Sequence, residues 1–147
     1  MTFPEIAADL NLTVTQAEPL LENLSLDETV RRHGPDKWSK KEILGHLIDS
    51  ASNNHQRFVR AALAPSLDFP AYDQNGNIRI QAPEDADWEL LVSLWAAYNR
   101  YLAHIIARLP APQLATPCRI GGAAPVTFEF LVDDYLVHLT HHLDQLA

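Results

Sequence analysis

Four stretches of this chain repeat apolar side chains every three or four residues, the spacing that lines one face of a helix. Two long connections rich in proline and glycine separate the last three of them. In the first stretch, residues 3–24, Ile6, Leu10, Val14, Ala17, Leu20, Leu21 and Leu24 carry the pattern, with Pro19 expected to kink the helix or end its regular part. The second opens at Ser39, which stands three residues before Glu42 in a capping-box spacing, and continues through Ile43, Leu47, Ile48, Ala51, Phe58, Ala62 and Leu63 until Pro65. That is about 25 residues, or ~37 Å of helix. A third is expected from Pro83, whose ring suits a first helical turn, with Glu84, Asp85 and Asp87 complementing the positive end of the helix dipole and an apolar face from Trp88 to Leu109. Thr127 is placed to cap a fourth, with Phe128, Leu131, Val132, Tyr135, Leu136, Leu139 and Leu143 as its stripe.

Between the second and third stretches, residues 64–82 collect Pro65, Ser66, Pro70, Asn75, Gly76 and Asn77, and read as irregular loop in preference to a small Asn-Gly hairpin. Residues 110–126 hold four of the ten prolines and the Gly121-Gly122 pair, so no helix is expected to cross them. The pattern predicts an all-α four-helix bundle in a single domain spanning residues 1–147.

Composition narrows the function. With 11 Lys+Arg against 19 Asp+Glu the formal charge is −8, and no basic run offsets it, which argues against nucleic-acid partners. Nowhere do about 18 uncharged apolar residues occur in a row, so no membrane-spanning helix is expected. The start of the chain, with Glu5 and Asp9 and no basic segment, does not read as a signal peptide. A single cysteine, Cys118, provides neither a disulfide nor a thiolate cage and fits a reducing, cytoplasmic location.

Seven histidines stand out. His138 and His142 are four apart, so on a helix both imidazoles leave one face and can share an ion. Chance supplies about 0.3 such pairs in a chain of this composition, so the spacing by itself leaves ligation and hydrogen-bonded packing both open. The same alternatives hold for His46 on the second helix. His46 lies seven residues after its cap and His142 about four before the last helical residue, so their depths match only if those two helices run antiparallel. An up-down-down-up bundle meets that condition, with residues 64–82 as the long crossover carrying the third helix back parallel to the second.

The run Trp38-Ser39, Gly45-His46-Leu47-Ile48-Asp49-Ser50, Ala51-Ser52-Asn53-Asn54-His55-Gln56-Arg57-Phe58, the Tyr72-Asp73 step and the terminal His138-x-x-x-His142 resemble the DinB/YfiT-like superfamily, four-helix bundles regarded as metalloenzymes. The resemblance spans nearly the whole chain. It implies a homodimer and a divalent metal held by one histidine of the second helix and two of the last, here His46, His138 and His142. One departure is visible: a tryptophan is expected shortly after the Tyr-Asp step, where this chain has Asn75-Gly76-Asn77-Ile78.

Three imidazoles without a carboxylate leave a coordination position open, and such a set suits zinc, nickel, iron or copper, zinc and nickel foremost here. The resemblance implies a small-molecule substrate and thiol S-transfer with a low-molecular-weight thiol as the leading reaction class, hydrolysis being the other. The competing reading is a non-catalytic bundle whose ion or histidines serve stability or dimerisation. Ser50, Asn53 and Asn54 follow His46 by four, seven and eight residues and share its face, either lining a substrate pocket or bonding to one another. Asp49 and Asp134 are candidates to orient the histidines, and Asn99 and Arg57 to reach a cosubstrate, each against an ordinary surface role. Cys118 is expected to be inert.

Overall fold

Each long helix begins at a residue whose side chain accepts a hydrogen bond from a first-turn amide that has no partner within the helix. In the computed structural model, which describes residues 1–146, Thr2 does this for α1 (Phe3–Glu22), accepting from Glu5 N–H at 3.2 Å while Glu5 accepts from Thr2 N–H at 3.0 Å. Ser39 and Glu42 form the expected reciprocal box at the start of α3 (Lys40–Leu63), at 3.3 and 3.0 Å. Asp87 caps α5 (Trp88–Ile106) through Leu90 N–H, and Thr127 caps α6 (Phe128–Leu146) through Phe130 N–H. Pro19 does not end α1, which continues to Glu22. It lies in the last turn and costs the one bond that a donor there would make to Thr15 O, with a single turn of helix after it. A short α2 (Leu26–Val30), capped by Ser25, follows.

The four long helices form the expected up-down-down-up bundle. The Trp88 indole N–H donates to Leu21 O at 2.8 Å, and Phe3 shares a cleft with Leu109, so α1 and α5 are antiparallel. Gly45 adjoins Leu91 and His55 adjoins Tyr98 and Tyr101, so α3 and α5 run parallel. Phe58 packs on Phe128 and Tyr135 near one end of α3 while His46 meets His142 near the other, so α3 and α6 are antiparallel. Helices α5 and α6 each pack against both α1 and α3, which occupy opposite corners. The fully buried side chains between them include Ile6, Leu10, Leu44, Leu47, Phe58, Trp95, Leu102, Ile106, Phe128 and Leu139, each contributing roughly 1.5–3 kcal/mol of burial.

The two connections are more ordered than their composition suggests. Residues 64–82 contain strand β1 (Leu67–Phe69) and helix α4 (Gln74–Gln81), neither irregular loop nor an Asn-Gly hairpin. Asp73 caps α4 by accepting from Gly76 N–H at 3.0 Å, a contact so close that a Cβ on Gly76 would collide with the carboxylate. The buried Ile78 then anchors α4 on α3. Pro83 opens a separate 3-10 turn, Pro83–Asp85, and the third long helix restarts only after the extended Ala86, at the Asp87 cap. The second connection supplies β2 (Pro117–Ile120), parallel to β1, and β3 (Val126–Thr127), antiparallel to β2. The Gly121 N–H donates to Phe69 O at 2.8 Å, and this small sheet fixes the crossover beside the C-terminal half of α3. Among the described residues no helix is long and apolar enough to cross a membrane.

At Gly45 α3 closely approaches the end of that crossover: a Cβ there would lie 2.9 Å from two carbons of the Pro83 ring. A Gly45→Ala variant is expected to lose about 1–3 kcal/mol by overpacking, read as a lower urea midpoint with unchanged slope.

Candidate metal centre

The antiparallel α3–α6 pair brings His46, His138 and His142 together, one ligand atom from each lying within 4.8 Å of the others. His138 Nε2 lies 3.4 Å from His46 Nε2 and 3.2 Å from His142 Nε2. Three nitrogens bound about 2.05 Å from one tetrahedral ion are separated by ~3.3 Å, so two of the three edges already have the length such an ion requires. The donor set and spacing therefore fit a divalent transition metal.

Electrostatics favours the form a metal needs at two of these rings. His46 is 1% exposed, and burial, reinforced by His142 and His138, lowers its pKa from 6.5 to about 4. Burial first, and then His142, also lowers the pKa of His138, against a raising influence from Asp134. Neutral imidazoles present free lone pairs. Two contacts orient the rings. Trp38 packs on His46 with ring centroids 5.0 Å apart, while His46 Nδ1, buried, has no hydrogen-bond partner among the described residues, so packing fixes that side of the ring and the contact with His138 the other. His142 Nδ1 donates to Gln145 Oε1 at 2.8 Å, leaving its Nε2 lone pair turned toward His138.

Neither carboxylate considered for that orienting role bonds to a histidine among the described residues. Asp49 accepts from Gln81 Nε2 at 3.0 and 2.9 Å, and Asp134 stands one turn before His138, at the wall of a cavity. Gln145 escapes sequence reasoning because a polar residue near a chain's end carries no signal beyond its i+3 spacing from His142.

That cavity, about 280 Å³, opens beside His138 and is walled by Ser50, Asn54, Arg57, Tyr72, Asp134 and Tyr135. Ser50 and Asn54 are buried there, with Asn54 Nδ2 donating to Ser50 O at 2.8 Å. Asn53 lies off the wall and donates into its own helix, to Asp49 O at 2.9 Å. Asn99 is fully buried rather than on the helix surface, and accepts from the Tyr135 hydroxyl. His55 bonds Tyr98 at 2.7 Å as a packing residue. His33, His104 and His141 are exposed. Cys118 is fully buried, its thiol donates to Thr116 O, and burial pushes its pKa up, which suits an inert thiol.

Because His46 is held neutral in the fold but protonates near 6.5 when unfolded, the unfolded state binds more protons between those values. The metal-free protein is therefore expected to keep the His46 contribution above pH 6.5 and lose it progressively toward pH 4. Melting temperatures across that range should show a decline that His46→Gln makes shallower.

Comparison with known proteins follows the same lines. The YfiT protein from Bacillus subtilis, described as a probable metal-dependent hydrolase with an unusual four-helix bundle topology, superposes with a TM-score of 0.77. The match covers 96% of this chain and 79% of that one at 18% sequence identity, a likeness of fold. No curated protein matches the sequence significantly. The family model of the DinB superfamily matches residues 10–146, and with the bundle topology this places the chain in the DinB superfamily.

Proposed function

We propose that this protein is a divalent-metal enzyme whose ion, zinc or nickel foremost and iron after them, is held by Nε2 of His46, His138 and His142, and which acts on a small molecule in the adjoining cavity. The observation that carries this reading is the convergence of three imidazoles, with no fourth His, Cys, Asp or Glu in the cluster among the described residues, one of which, His138, also walls a cavity that can admit a substrate. When bound at such a site, a divalent ion lowers the pKa of a water to about 7 or holds a thiol sulfur as thiolate, which supports hydrolysis or thiol S-transfer respectively. The description of YfiT favours the first, and the family resemblance favours the second.

The chain's own groups have separable tasks in this reading. His142 is positioned by Gln145, and His46 by Trp38. Ser50 and Asn54 contact the substrate from α3, and Asn53, engaged with its own helix, contributes least. Tyr135, bonded to Asn99, forms a rigid wall. A homodimer in the cytoplasm belongs to the same reading. Leu90, Leu94 and Tyr101, 60%, 46% and 56% exposed on α5, supply apolar surface for the dimer, which light scattering would check.

Elemental mass spectrometry of the untagged protein, reconstituted with zinc or nickel, is expected to find about one equivalent of metal, absent in His142→Ala. Failure of the wild-type protein to retain either metal would overturn the site. Gln145→Ala should keep the metal with roughly 10-fold weaker affinity, the low end of the range for outer ligand partners, measured by competition with a chromophoric chelator. Metal that raises the melting temperature without turnover of esters, amides or thiol acceptors would assign the non-catalytic role instead.

A further inference from the structure

Arg57 is the one cationic wall residue of the histidine cavity other than the histidines, and among the described residues no carboxylate pairs with it. It forms no ion pair and no hydrogen bond among the described residues, and its Nε is buried without a partner. Its guanidinium carbon lies 5.4 Å from the Phe69 ring centroid, so packing on β1 holds the group in place. Stacking uses the flat face of a guanidinium and leaves the edge, where the N–H donors lie, unspent. None of the nearby carboxylates bonds it: Asp49 accepts from Gln81, Asp73 caps α4, and Asp134 sits at the His138 end of the cavity. Beside Arg57, the Tyr72 hydroxyl also lacks a protein partner among the described residues. Burial raises its pKa, so it stays a donor at neutral pH.

His46, Ser50, Asn54 and Arg57 follow one another at intervals of four, four and three along α3, a single face spanning ~16 Å of helix axis. We propose that the cavity takes a small molecule bearing an oxyanion, a carboxylate or phosphate, seated on the Arg57 guanidinium edge and the Tyr72 hydroxyl, with its uncharged reacting group beside His138. Asp134 at the histidine end repels the anion from there and so sets the direction of binding. The planar fork of arginine suits two parallel hydrogen bonds to either anion, and a cavity of about 280 Å³ limits the ligand to a small metabolite. The inference rests on the reading above that substrate enters the cavity beside the three histidines, and it adds the class of substrate.

Calorimetric titration of metal-free and zinc-reconstituted protein with butyrate, inorganic phosphate and the neutral analogue butyramide tests it. Saturable binding of butyrate or phosphate is expected without zinc, the stronger of the two naming the anion, with butyramide at least ~10-fold weaker. Arg57→Gln should weaken anion binding by about 10- to 100-fold, while Arg60→Gln, which removes the exposed neighbour over the same Phe69 ring, should leave it unchanged. Equal binding of butyrate and butyramide, wild-type affinity in Arg57→Gln, or no saturable binding of either anion would each overturn the proposal. Should Arg57→Gln fail to fold, Arg57→Lys carries the same test, since losing the fork should weaken butyrate more than butyramide. Anion binding that requires zinc and survives Arg57→Gln puts the anion on the ion, which sinks this inference and sustains the metal reading. Arg57-dependent binding in a protein that retains no metal does the reverse.

Discussion

The antiparallel contact of α3 with α6 is the constraint on which the histidine cluster depends. His46 lies near the start of one helix and His142 near the end of the other, and only opposed helix directions bring those depths level. A simple up-down-up-down bundle would make the second and fourth long helices parallel and separate the rings by most of a helix length. The parallel α3–α5 pair that avoids this requires the chain to return along the whole bundle between residues 64 and 87, and that return cannot be a tight turn. The crossover is consequently a structural part of the site: β1 supplies the ring under Arg57, and the segment after it brings Tyr72 to the cavity.

Placing three imidazoles side by side, with His46 buried and His138 and His142 half-buried, has a physical cost that also explains their suitability as ligands. Protonating His46 or His138 would place a charge in a poorly solvated place beside other imidazoles, so the pKa of each is lowered. The positive charge that the cavity does retain lies farther along α3, at Arg57, with Asp134 near the histidines. The cavity is thus polar but unevenly charged, and a ligand entering it meets different chemistry at its two ends.

Much of this was legible in the sequence because it depends on local rules. Ser39 with Glu42 marked the start of α3, and Thr127 that of α6, since capping is a contact between residues three apart. Apolar spacing identified four buried faces, and the depths of His46 and His142 indicated the helix directions. The misses have equally specific reasons. Asn75-Gly76-Asn77 reads as a turn, yet Asp73 capping and the docking of Ile78 on α3 override that weak local preference and make it helix. Strands of three, four and two residues are too short to show alternation, and β1 pairs with a partner some 50 residues away. Trp38 and Gln145 act on the histidines through contacts that no spacing announces.

What the sequence by itself determined is therefore the set of four long helices and their capped starts, while the three-histidine set came from the family resemblance and the helix directions from the condition that those histidines meet. The helices and their starts follow from 3.6-residue periodicity and from side chains meeting the backbone within one turn. Only the tertiary structure decided that the rings converge with His138 at a cavity wall, that Gln145 rather than Asp49 or Asp134 bonds one of them, and that Arg57 has no ion-pair partner among the described residues. Those facts depend on which groups from distant segments come within a few ångströms, and on which of them are shut off from water.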